Sequence, residues 1–94
     1  MPAKRHAPKD PLQVIPGVGP SIARDLRQLG VRRVADLAGK SPEALYEKLG
    51  RLRGARQDPC VLYTFRCAVY FAGTARPARQ RLNWWWWKDR KAGA

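Results

Sequence analysis

The sequence predicts an all-α fold of five short helices, on the strength of three observations. Proline directly follows a helix-capping residue four times, at Asp10-Pro11, Gly19-Pro20, Ser41-Pro42 and Asp58-Pro59. Proline has no N–H to lose at a first helical position, and Asp, Ser and Gly are favoured N-caps. Glycine closes an apolar stretch at Leu29-Gly30, Leu49-Gly50 and Ala72-Gly73, where left-handed C-terminal caps are expected. No run of alternating apolar and polar residues is long enough for a sheet.

The elements follow in order. The first helix is expected near 11–15, where Gln13 lies three residues after Asp10 and completes a capping box. The second is expected near 20–29, with Ala23, Leu26 and Leu29 on its buried stripe, and a short third near 32–38. A fourth runs near 42–52; Val34 and Leu37 before it, with Leu45 and Leu49 within it, supply a core-facing stripe. The fifth, near 59–72, is apolar almost all round, interrupted only by Thr64 and Arg66. Such a helix is central to a core or lies in a subunit interface, and a homodimer is one way to cover it. From residue 74 the chain is expected to be irregular, with one turn beginning at Pro77. The domain is thus expected over 10–73, between a mobile basic arm at 1–9 and a basic, Trp-rich extension at 74–94; Ala92–Ala94 are expected to be mobile as well.

Composition narrows the function. Nineteen Lys and Arg against seven Asp and Glu leave a formal charge of +12 in 94 residues. Ten of those bases fall in residues 51–94, against only Asp58 and Asp89. A positive surface of this size attracts polyanions, nucleic acid foremost, because each neutralised phosphate releases counterions. An acidic protein, a membrane surface or plain solvation are the other readings of that charge. A hydrophobic share of 45% excludes a disordered basic tail. No apolar run approaches the roughly 18 residues of a membrane span. The basic first residues lead into no apolar stretch, so no secretory signal is expected.

Cys60, Cys67 and His6 are too few for a structural zinc site, and no cofactor is expected. The two cysteines share a helix face but stand roughly 10 Å apart along it, beyond the ~7 Å reach of a disulfide. They read as two small buried apolar residues in a reducing, cytoplasmic compartment. No acid and base pair up in the sequence, so no enzyme is expected.

The segment Ile15-Pro16-Gly17-Val18-Gly19-Pro20-Ser21-Ile22-Ala23-Arg24-Asp25-Leu26 carries the functional signal. Glycines at 17 and 19 allow positive φ and leave no Cβ in the way. Val18 can turn inward while the backbone N–H groups of Gly17, Gly19 and Ser21 face out. A helix begins immediately, and its free N–H groups and dipole make an anion site. The pattern resembles the helix-hairpin-helix motif, which implies a DNA phosphate held on the hairpin backbone. No Lys directly follows the hairpin, and Arg24 and Arg27 are the nearest substitutes. A hairpin kept only for tight packing is the alternative. Leu37-Ala38-Gly39-Lys40-Ser41-Pro42 lines up as a weaker second copy, in which Lys40 is a further phosphate contact. Paired hairpins of this kind resemble compact, sterile-alpha-motif-like domains of five helices.

Leu82-Asn83-Trp84-Trp85-Trp86-Trp87-Lys88-Asp89-Arg90 is the remaining signal. Four adjacent indoles cannot all enter one core. Most are expected to fold back over the helices as a clasp, while Trp85 and Trp86 are candidates to stack on bases or hold a ligand. Taken with the hairpin, with Leu29-Gly30-Val31 through Asp36-Leu37 and with Cys60-Val61-Leu62-Tyr63, this run resembles the pathogenicity-locus family of small bacterial helix-hairpin-helix proteins, some of which carry a mitomycin-resistance label. The likeness covers about residues 11–90. It implies a helix-hairpin-helix fold and DNA binding, with no catalytic residues and no cofactor. Trp86 replaces a polar residue of the family's Trp pattern, so an extra indole is expected at the surface.

The expected function is a sequence-tolerant DNA-binding module. Its site comprises Gly17, Val18, Gly19, Ser21, Arg24, Arg27 and Lys40. The alternative is a protein-interaction or dimerisation module using the Cys60–Ala72 helix and the Trp run.

Overall fold

The computed structural model describes residues 10–88. The expected arm at 1–9 and the chain beyond Lys88 lie outside those residues. Among them there is no strand; the protein is all-helical. Its α-helices are α1 (Pro20–Gln28), α2 (Pro42–Arg53) and α3 (Pro59–Gly73), joined by 3-10 turns at Pro11–Val14, Val34–Leu37, Arg79–Leu82 and Trp84–Trp87.

The expected first and third helices are therefore 3-10 turns, and among the described residues three α-helices replace five. Each has four residues, too few for a ladder of i to i−4 bonds, whereas i to i−3 bonds close at once. The amide of Gln13 bonds the Asp10 carbonyl at 2.8 Å, and that of Asp36 bonds the Arg33 carbonyl at 3.0 Å. Pro16 prevents the first turn from growing, since the residue before proline is steered to extended backbone; Ile15 has φ −71° and ψ 125°. The start signals hold throughout. Asp10, Gly19, Ser41 and Asp58 are the N-caps of the first turn, α1, α2 and α3. The Asp10–Gln13 capping box is formed, with the Leu12 amide donating to Asp10 at 2.9 Å and the Asp10 amide to Gln13 at 3.3 Å.

The stop signals are less faithful. Gly30 does take a positive φ, +92°, just past α1. Gly50 lies inside α2, which runs a further turn and closes on Gly54 at φ +66°. That extra turn is tied down from α1: the Arg53 guanidinium pairs with the buried Asp25 and donates to Gln28 at 2.9 Å. Gly73 is the last residue of α3, and extended Thr74 ends the helix. The C-terminal segment forms two 3-10 turns instead of the one expected at Pro77.

The core gathers Leu12, Ile15, Leu26, Leu37, Leu49 and Phe65, all fully buried. α3 is its central element, packed by α2, by Val34–Leu37 and by Trp84–Trp87. Its middle, Thr64–Val69, is buried, Thr64 and Arg66 included. Cys67 is buried as expected, but Cys60 is exposed. As the second residue of α3 it lies ahead of the part of the helix that the other elements cover. No described helix is long and apolar enough to cross a membrane.

Candidate functional site

The hairpin is a tight turn in which the Val18 amide donates to the Ile15 carbonyl at 3.0 Å and Gly17 takes φ +85°. Glycine is required there, because a type II turn needs positive φ at its third residue. The second copy repeats the geometry: the Lys40 amide donates to Leu37 at 3.0 Å, Ala38 sits at φ −61°, ψ 127°, and Gly39 at φ +77°. Each copy is a 3-10 turn, this bend, and an α-helix with proline first. Val18 is buried beneath the first bend and its amide is already bonded, so it supports the hairpin from inside and offers no contact.

Gly19 departs from expectation. Its φ is −94° and its ψ −172°, extended backbone open to any residue, and a Cβ built on it would meet nothing within 4 Å. Neither conformation nor packing among the described residues calls for glycine there. The backbone amides of Gly17, Gly19 and Ser21 donate no hydrogen bond to any described residue, and α1 has no side-chain cap. This end of α1 therefore presents unspent donors beside an empty approach.

The charged neighbours divide. Ser21 and Arg24 are exposed on the first turns of α1. Arg27 is committed elsewhere: Nε and Nη2 donate to Asp10 at 2.9 and 2.6 Å, and Nη1 to the Arg32 carbonyl at 2.6 Å. The Arg27 guanidinium holds the Asp10 carboxyl below the usual carboxylate range, and the pair pins the first turn to α1. Lys40 is exposed but lines a groove with Leu29, Gly30 and Val31, at the opposite end of α1. Nine residues of helix put it roughly 13 Å along α1 from the first hairpin, so the structure does not gather Lys40 into that site.

The Trp run forms a clasp with one indole at its centre. Trp87 is 1% exposed, its Nε1 donates to the Arg81 carbonyl at 2.8 Å, and its ring centroid lies 5.4 Å from that of Tyr70. Arg81 lies over Trp86 at 4.9 Å and Tyr70 at 5.8 Å, a cation–π stack in which Trp86 also meets Trp87 edge-on at 4.8 Å. Trp86, expected at the surface, is thereby half-buried. Trp85 is 59% exposed. Trp84, which the sequence did not single out, packs on the hairpin: its Cδ1 lies 3.8 Å from where a Gly17 Cβ would stand, and Thr64 Cγ2 3.9 Å from it. Residues 17 and 84 are far apart along the chain, and no local signal pairs them.

Neither thiol is an activated nucleophile. Burial pushes Cys67 up to about 11, and hydrogen bonding to Asp58 raises Cys60 above its ordinary value. A thiol reagent at neutral pH is expected to modify one cysteine, Cys60, in the native protein and two in denaturant. Mass spectrometry reads the count, and rapid native labelling of Cys67 would contradict its burial.

A small, basic, all-helical protein built on two glycine bends and closed by a tryptophan clasp is the class these features define. The chain belongs to the Cdd1 family, described as Pathogenicity locus, whose model matches residues 5–92. It is similar to the mitomycin resistance protein McrB of Streptomyces lavendulae, at 38% identity over 74 residues, which span 79% of this chain and 67% of the relative. No solved structure matches it.

Proposed function

We propose that this protein is a sequence-tolerant DNA-binding module with a helix-hairpin-helix, sterile-alpha-motif-like architecture, and that the Gly17–Ser21 backbone holds a phosphate. The observation that carries the reading is Gly19. A glycine with ordinary backbone angles and open space above it is accounted for by a ligand whose approach a Cβ would block. The unspent amides and the dipole of α1 favour an anion there. Arg24 and Ser21 stand beside it, and the +12 charge draws a polyanion in. Contacts of this kind read the backbone and not base edges, so sequence specificity is low. The relative's name connects it with resistance to mitomycin, and a role in DNA repair or stress resistance is the corresponding proposal for this chain.

Duplex affinity is expected to fall with salt at a log–log slope of about −0.9 per phosphate contacted. Gly19→Val suits the extended backbone and should leave the fold intact while weakening binding about tenfold, the scale of a lost hydrogen bond to a charged group. Fluorescence anisotropy at several salt concentrations measures both. Absence of binding at low salt, or equal affinity of the variant, rejects the proposal.

A second reading, a protein-interaction or dimerisation module, draws on a groove of about 780 Å³ bordered by Tyr46, Gly50, Ala55 and Leu62, with Leu52 of α2 57% exposed. The apolar middle of α3 is spent on the chain's own core. Sedimentation of the pure protein distinguishes the two: a tight dimer favours the second.

A further inference from the structure

We infer that the preferred DNA is one with unpaired bases, single-stranded or frayed, and that Trp85 is the platform on which such a base stacks. The inference rests on the DNA-binding reading above and adds the substrate class.

The fold brings the Trp84–Trp87 turn to the phosphate-holding hairpin. Trp84 packs on Gly17, beside which Thr64 also lies. Trp85 meets Trp84 in an edge contact, with centroids 5.7 Å apart and planes at 85°, so it stands one indole away from Gly17. More than half of its surface is open to solvent, in contrast to Trp87, which is fully buried. Large apolar surface left in water is unfavourable, and here it stands beside donors suited to a phosphate. Lys88, three residues on from Trp85, is exposed and adds a cation to this end of the chain.

An aromatic ring next to a backbone grip contributes where bases are free to leave their own stack. Every base has a π-face, so stacking is tolerant of sequence. In an intact duplex the bases are already stacked and paired, and Trp85 has nothing to receive. The ring therefore discriminates by strandedness while the hairpin amides hold a phosphate in either form. The buried Trp87 and the Arg81-covered Trp86 do not take part.

The test compares the full chain with Trp85→Ala, Trp85→Tyr and Trp85→Leu, titrated with oligothymidylate and with a blunt duplex carrying as many phosphates, at one low salt concentration. Trp85→Ala is expected to lose about tenfold in single-strand affinity, the scale of one base–aromatic stack, with duplex affinity unchanged. Trp85→Tyr should restore most of the loss and Trp85→Leu should not, which separates stacking from apolar bulk. Thermal unfolding confirms that each variant folds. Equal losses on both DNAs, no loss on either, or rescue by Leu as well as Tyr overturns the inference. Duplex binding without single-strand binding overturns it and leaves the DNA-binding reading standing. Failure to bind either DNA removes both.

Discussion

Trp87→Ala is expected to lower the unfolding free energy by about 3–5 kcal/mol, the range for emptying a large aromatic from a core. The ring is fully buried between Tyr70, Trp86 and α3. Its loss leaves the Arg81 carbonyl without the Nε1 donor and removes the wall against which Trp86 and Arg81 are ordered. A domain of this size has about 5–15 kcal/mol in total. The thermal midpoint should therefore fall by on the order of 20 °C, at about 4–8 °C per kcal/mol. Trp85→Ala, one of three neighbours in the same run, should change stability by less than about 0.5 kcal/mol, as exposed substitutions do. Denaturant melts of the two variants check the contrast. A loss below about 1 kcal/mol for Trp87→Ala would mean that the clasp does not close the core.

Arg66→Ala is expected to cost about 2–3 kcal/mol. Arg66 is 8% exposed, donates to Glu43 Oε2 at 2.9 Å and to the Trp87 carbonyl at 2.9 Å, and lies 5.7 Å from the Tyr63 ring centroid. Breaking a fully buried ion pair costs about 3–5 kcal/mol. The Glu43 carboxylate is partly open to solvent and can rehydrate, which lowers the figure. The Trp87 carbonyl has no such recourse. Trp87→Ala keeps that backbone carbonyl but removes the ring that seats it against α3, so the bond from Arg66 loses its fixed acceptor and the two effects should not add. A double-mutant cycle should show a coupling of at least about 0.5 kcal/mol, the threshold that marks residues in contact. Strict additivity would show that the Trp87 ring does not position the carbonyl that Arg66 holds.

Helix starts were legible because a cap and a proline act on their own few residues. Asp10, Gly19, Ser41 and Asp58 open their elements wherever the chain later packs. Helix ends were less legible. Gly50 carries the same local signal as Gly30, yet α2 runs past it to Gly54, held by the bond of Arg53 to Asp25 on α1. The phosphate-site candidates divide for the same reason. Gly17, Gly19 and Ser21 adjoin one another in sequence and stay together in space. Arg27 is drawn to Asp10 and Lys40 to the far end of α1.

The sequence alone determined the all-helical class, the two glycine bends, the excess of positive charge and the presence of an indole run that one core cannot hold, since each follows from residue chemistry over a few neighbouring positions. Only the tertiary structure decided which indole is buried, that Trp84 lies on Gly17, and that Arg81 and Arg66 turn inward to hold the clasp. Four identical side chains in a row are indistinguishable until something packs against them, and what packs here is α3 and a bend nearly seventy residues upstream.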